Sequence, residues 1–193
     1  MNQYKQMILF VLVLGVITSS LLVGVDALTR DRIARNQEAE LQSAILDAYN
    51  IPYTFTEISN IFEENVDVVE VSGFTFFVDP TTGAVSFRFE GSGLWGPIVG
   101  VLTLESDFET IKRITVLQEE ETPGLGGIVS ERQYLDTFVG RVMTPTLIIQ
   151  RNANLSNPNE VDAITGATGT SNAFKEILNA VYEEALNAWE SRN

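Results

Sequence analysis

Hydrophobic positions change period twice along this chain, and the changes divide it into three parts. Met7 to Val25 is a run of 19 residues without a charge. As a helix such a run rises about 28 Å, close to the hydrocarbon thickness of a bilayer. A cleaved signal peptide is the rival, with Val25-Asp26-Ala27 as its site. The run is longer than a signal core and an acid stands inside that site, so a retained anchor is expected. From Ala27 to Asn50 helix formers dominate, but Leu28, Ile33, Leu41, Ile45 and Leu46 make no clean stripe. They read as a helix leaving the membrane and docking later, ended by Pro52.

From Val66 the period is two. Val66 to Val71, Gly73 to Val78 and Val85 to Phe89 read as strands. The last two pair as a hairpin across Asp79-Pro80-Thr81-Thr82-Gly83, where Pro presets φ and Gly supplies a positive φ. Further strands are expected over Ile98–Leu104, Ile111–Leu117 and Thr144–Gln150, a short helix or turn over Arg132–Phe138, and a polar loop through Asn159. The period then becomes helical: Phe174, Ile177, Leu178, Val181, Ala185, Leu186 and Trp189 keep one apolar face, with Thr170 or Ser171 as the N-cap. Hairpin strands with helices at both chain ends predict an α+β class.

Composition removes whole classes of chemistry. The chain has no Cys and no His, so disulfides, iron–sulfur clusters, His-ligated haem and Ser-His-Asp or Cys-His catalysis cannot be built from it. A flavin bonded to His or Cys is excluded as well. The formal charge of −14 disfavours nucleic acid and anionic lipid as partners. Basic residues beside the apolar run (Lys5 before; Arg30, Arg32 and Arg35 after) would place the larger part of the chain inside, but Asp31 and Glu38 dilute the signal. The charge flanks leave the topology open.

Three loops rich in glycine follow separate strands: Gly91 to Pro97, Thr122 to Gly127 and Thr165 to Ser171. Each alone is ordinary punctuation. Trp95 and Leu125 lie inside two of them, and either fold back on the core or face a flat apolar ligand. Glu119-Glu120-Glu121 reads as a solvated acidic run, although Glu121 could pin its loop by accepting backbone N–H bonds. The third loop, Asp162-Ala163-Ile164-Thr165-Gly166-Ala167-Thr168-Gly169-Thr170-Ser171, consists mostly of small and hydroxyl residues ahead of a helix. Taken locally it is a turn with an N-cap; small residues there also let a backbone approach an oxyanion closely. No phosphate-binding G-x-G-x-x-G or G-x-x-x-x-G-K-[ST] pattern is present.

In order and spacing, Gly91-Ser92-Gly93-Leu94-Trp95-Gly96-Pro97-Ile98, Glu121-Thr122-Pro123-Gly124-Leu125-Gly126-Gly127 and Asp162 to Thr168 resemble the FMN-binding domain family. That family includes the C subunit of Na⁺-translocating NADH:quinone oxidoreductase and the G subunit of the related Rnf complex; the Gly-Leu-Trp-Gly form and Gly127 lean towards the first of these. The resemblance implies a single transmembrane helix followed by an FMN-binding domain with an antiparallel sheet and flanking helices. It implies an electron-transfer subunit of a membrane ion-translocating oxidoreductase, not an enzyme alone, with no catalytic residue and no metal site of its own. In the family motif Asp-x-x-(Ser/Thr)-Gly-Ala-Thr a flavin transferase esterifies FMN to the last Thr. Here that is Thr168, with Thr165 at the Ser/Thr position and Asp162 as the motif acid.

The resemblance further implies FMN contacts from Gly166, Ala167, Thr170 and Ser171 around the phosphate, and from Trp95, Leu125, Thr122 and Gly124 around the ring. The expected organisation is a cytoplasmic N-terminus over 1–6, a membrane helix over 7–26, a membrane-proximal helix over 27–50 and an extracytoplasmic FMN-binding domain over 51–193. Expected partners are the other subunits of the same complex and a flavin transferase. A membrane-anchored assembly module without redox function is the alternative of a different class.

Overall fold

The computed structural model describes residues 3–192. Its first element, α1 (Gln3–Tyr49), is one unbroken helix that runs through both segments expected from the sequence. No proline or glycine pair interrupts residues 26–28, so nothing breaks the ladder where the apolar run ends. The chain divides into two compact units, residues 1–39 and 40–193. In the first, α1 is exposed along its length; Phe10, Leu12 and Leu22 are among its large apolar side chains open to solvent. It is the one helix among the described residues long and apolar enough to cross a membrane.

The second unit starts inside α1. There the apolar face becomes buried, through Ala44, Ile45, Leu46, Ala48 and Tyr49. Asn50 stops the helix with φ 57°, and the Ile51 N–H reaches back to the Leu46 carbonyl at 2.9 Å. This is a Schellman-type end just ahead of Pro52. A helix not expected from the sequence follows, α2 (Ile58–Asn65), which buries only Ile58 and Phe62. Two anchors in eight residues give too little periodicity to read.

Five antiparallel strands come next in simple sequential order: β1 (Asp67–Val71), β2 (Phe74–Val78), β3 (Val85–Ser92), β4 (Pro97–Leu104) and β5 (Ile111–Gln118). Ser72 and Gly73, both at positive φ, make the two-residue turn between β1 and β2. The turn after β2 is held by Asp79, which accepts from the Thr81 N–H and the Thr82 hydroxyl, with Gly83 at φ 73°.

Both sheet faces are covered, which is why β4 is buried at nearly every position. One face meets α4 (Thr168–Glu190). Phe89 and Phe138 each meet Phe174 edge-on, and Phe108 stacks on Trp189 at 5.1 Å. The other face receives the end of α1 and α2: Tyr49 donates to the Phe77 carbonyl at 2.6 Å, and Phe62 packs edge-on against Phe77. Ser86 is therefore buried rather than solvated, and it is satisfied by Thr103 across the strands at 2.8 Å. The alternation expected along β3 holds at Phe87, Arg88, Phe89 and Glu90 and fails at Ser86 for this reason.

The return to α4 passes through a 3-10 turn (Gly126–Ser130), α3 (Arg132–Leu135) and a second 3-10 turn (Asp136–Phe138). The strand expected over Thr144–Gln150 is confined to β6 (Ile148–Gln150), because Pro145 has no N–H for a ladder. β6 pairs in parallel with β7 (Glu160–Asp162), a short strand not expected from the sequence that starts just after the polar loop ends at Asn159. α4 starts at Thr168 with Ala167 in the cap position, three or four residues before the expected cap. The architecture is α+β, with an antiparallel sheet and flanking helices.

Glu160 organises the loop between β6 and β7. Its carboxylate accepts from the Asn157 side chain, from the Asn154 N–H at 2.8 Å and from the Gln150 amide at 2.9 Å. The Asn157 bond first, then the Asn154 bond, holds its pKa below the usual carboxylate range despite opposing desolvation. A depressed folded-state pKa adds stability above the unfolded value of about 4.3 and loses it as pH falls through the folded value. Glu160→Gln is therefore expected to melt below the parent at pH 7, with the gap closing towards about pH 3. Thermal melting of both chains at the two pH values checks this; a gap independent of pH would refute it.

Candidate functional site

The three glycine-rich loops, far apart in sequence, meet at one buried carboxylate. Glu121 is 5% exposed. Its Oε1 accepts the Leu94 N–H at 2.7 Å and the Trp95 N–H at 3.0 Å. Its Oε2 accepts the Thr170 hydroxyl at 2.6 Å. Glu121 thus leads into the second loop and binds the first and third. The sequence suggests that it pins its own loop; the structure shows that it pins the other two. A buried carboxylate with three donors is a satisfied group, and its position is set from both sides.

Glycine is what lets the loops come this close. A Cβ on Gly126 would stand 2.6 Å from Thr170 Oγ1 and 2.7 Å from Glu121 Oε2, and one on Gly93 would stand 2.5 Å from Glu121 Oε1. Gly166 adopts φ +84°, a conformation side chains resist, and its Cβ position lies 3.2 Å from a Leu125 methyl. Leu94 likewise lies against Gly169, 3.1 Å from that Cβ position. Leu94, Trp95 and Leu125 remain 57%, 71% and 46% exposed. Three large apolar side chains thus stand open beside the start of α4, where isolated exposure costs burial energy. Of the two outcomes open to Trp95 and Leu125, folding back on the core is not what occurs.

The third loop carries the exposed hydroxyls. Thr165, Gly166 and Thr168 are exposed, whereas Ala167 is buried at 7% exposure. Thr168 is the first residue of α4 and opens onto a cavity of about 460 Å³. The floor of that cavity comes from Ile148, Ile149, Ala163 and Ile164, and its polar wall from Thr165, Asn172, Arg151 and Lys175. Thr168, Asn172 and Lys175 follow at spacings of four and three, one face of a helix.

Thr170 and Ser171 differ from expectation. Both are 1% exposed. The Thr170 hydroxyl is committed to Glu121, while Ser171 donates to the Ala167 carbonyl and accepts the Ile164 N–H, both at 3.0 Å. Neither is the N-cap, and neither hydroxyl is free for a ligand; both brace the loop from beneath. Beside them, burial raises the Tyr134 phenol above its ordinary pKa, with Asp162 adding to the effect. Asp162 ends β7 and accepts the Ala153 N–H at 2.9 Å, fastening the turn that follows β6. Thr122 is exposed and its carbonyl accepts the N–H groups of Leu125 and Gly127, while Gly124 is exposed at φ +72°. Sequence reading missed Leu94, Arg151, Asn172 and Lys175 as members of the site. Their helical or loop spacing relative to Thr168 offers a signal only once the start of α4 is known.

Residues 93–183 match the FMN-binding domain family. The C subunit of the Na⁺-translocating NADH-quinone reductase of Vibrio alginolyticus is 34% identical over 100 residues, 49% of this chain and 39% of that protein. Its Neisseria meningitidis counterpart is 32% identical over 98 residues, 48% of this chain and 38% of that protein. The chain thus matches about two-fifths of the length of these relatives. Among solved structures, the C subunit of this reductase from Parabacteroides distasonis has a TM-score of 0.67 at 22% identity, covering 78% of this chain and 92% of that one. Shewanella oneidensis NqrC has a TM-score of 0.64 at 21% identity, covering 77% and 93%. At these identities the structural likeness shows the fold.

Proposed function

We propose that this chain, with its match to the FMN-binding domain over residues 93–183, carries FMN esterified to Thr168 and serves as an electron-transfer subunit of a membrane ion-translocating oxidoreductase. The observation that carries the reading is the placement of Thr168. It is an exposed hydroxyl on the first residue of α4, beside exposed Leu94, Trp95 and Leu125, and it opens onto a cavity with Arg151 and Lys175 in its wall. That donor set suits a phosphate and an apolar ring: unpaired N–H groups and cations for one, large side chains for the other. FMN bound here would supply stepwise electron transfer.

The residues of the chain position that chemistry. Glu121 fixes the three loops, Thr170 and Ser171 brace the start of α4 from below, and Gly166 lets Leu125 close on the third loop. Ester formation joins Thr168 Oγ1 to the flavin phosphorus, passes the hydroxyl proton to a base and expels whatever group activated the phosphate. The co-reactant is accordingly a flavin nucleotide with its phosphate in an anhydride, delivered by a flavin transferase. The matching relatives are C subunits of the Na⁺-translocating reductase, which supports that complex over the Rnf alternative.

The exposed apolar stretch of α1 supports a single-pass anchor in the cytoplasmic membrane, and the likeness to these relatives supports an extracytoplasmic FMN domain whose partners are the other subunits of the complex. The full chain is to be coexpressed with a flavin transferase and its intact mass measured, followed by peptide mapping. One FMN ester on the peptide that contains Thr168 is expected. An unmodified chain, or a modified residue elsewhere, would overturn the assignment.

A further inference from the structure

Resting on that reading, the geometry points to Arg151 and Lys175 as the charge partners of the flavin phosphate, a role that makes the cavity beside Thr168 a phosphate-arm subsite. The chain has only 12 basic residues against 26 acidic ones. In the second unit most of its cations are committed. Arg88 pairs with Glu90, Lys112 with Glu105 and Arg132 with Asp136. Arg141 donates to the carbonyls of Leu155 and Asn157, and Arg192 lies over Trp189. Among the described residues, no carboxylate pairs with Arg151 or Lys175, and both line the same cavity as Thr168. In so acidic a chain, two such cations facing one cavity mark a place for an anion.

Arg151 is exposed, and the backbone beside it is fixed. It follows β6 directly, and the next two backbone N–H groups beyond the Asn152 turn are held, Ala153 by Asp162 at 2.9 Å and Asn154 by Glu160 at 2.8 Å. Lys175 is half-buried and stands seven residues along α4 from Thr168, two turns on the same face, with Asn172 between them. An ester on Thr168 keeps one negative charge on phosphorus, and free FMN carries more. Cations on two sides of the cavity discriminate in favour of either over an uncharged flavin. The Leu94, Trp95 and Leu125 side is free for the ring.

The test compares FMN with riboflavin, which lacks only the phosphate. Full-length chain in detergent micelles, expressed without a transferase, is titrated with each and followed by flavin fluorescence. FMN is expected to bind about tenfold tighter than riboflavin, with the margin shrinking as salt rises. Arg151→Gln with Lys175→Gln together should bring the two within about twofold, whereas Arg88→Gln, outside the cavity, should leave the margin intact. Equal affinities in the parent, no binding of either ligand, or a margin that survives in the double variant would each overturn the subsite. A covalent adduct without FMN preference sinks this inference alone. FMN preference without an adduct on coexpression sinks the ester alone.

Discussion

Thr168→Val, coexpressed with a flavin transferase, is expected to give a folded chain with no flavin fluorescence on a denaturing gel. Thr168 is exposed and plays no part in the core, so the substitution removes one oxygen and leaves the packing as it was. Its cost in stability should stay below about 1 kcal/mol, since a β-branched residue in the first turn loses little. Two companions make the result specific. Thr168→Ser keeps a hydroxyl at the same place and should still be labelled, while Thr165→Ala, three residues earlier, should retain the adduct. Fluorescence that persists in Thr168→Val and disappears in Thr165→Ala would move the ester to the other hydroxyl. Loss in both, with unchanged melting, would mean that the transferase reads the loop as a whole.

Glu121→Ala should have the largest effect on the fold of the site. It strands two backbone N–H groups, of Leu94 and Trp95, and the buried Thr170 hydroxyl. Each buried donor left unpaired costs about 1–3 kcal/mol, and partial rehydration of the first loop softens the sum. A loss of about 2–4 kcal/mol is expected, seen as a fall of roughly 5–12 °C in melting temperature. Glu121→Gln is the informative control. Its carbonyl oxygen still accepts from Leu94 and Trp95, and its amide donates to Thr170 in place of accepting from it. It should lose about 1 kcal/mol, the difference between a charged and a neutral acceptor. If Glu121→Ala melts within a degree or two of the parent, the carboxylate does not hold the three loops together.

Both outcomes bear on how much of the molecule was legible beforehand. Local patterns carried far in the sheet. The Phe87–Glu90 alternation, the Asp79–Gly83 turn and the pairing of β2 with β3 follow from residues that touch their near neighbours. α2 and β7 were not legible, because two buried anchors and three paired residues repeat too little to show a period. The α4 boundary was misplaced because Thr170 and Ser171 look like caps by residue type. Their hydroxyls are instead claimed by Glu121, forty-nine residues away in the case of Thr170, and by the loop's own backbone.

The sequence by itself determined the apolar α1, the antiparallel sheet, the apolar face of α4 and the exclusion of every linkage chemistry that needs Cys or His. It also contained, as a resemblance, the loop that ends in Thr168. Only the tertiary structure decided what each loop faces. Glu121 reads either as one of three solvated acids in a row or as a pin for its own loop, yet it is buried and holds the other two loops, because its donors come from residues 94, 95 and 170. Nothing in the local pattern joins Arg151 to Lys175; β6, β7 and α4 put them around one cavity. A side chain's own period reveals which face it takes; which distant groups complete its charge and hydrogen bonds depends on the packing of elements that sequence separation hides.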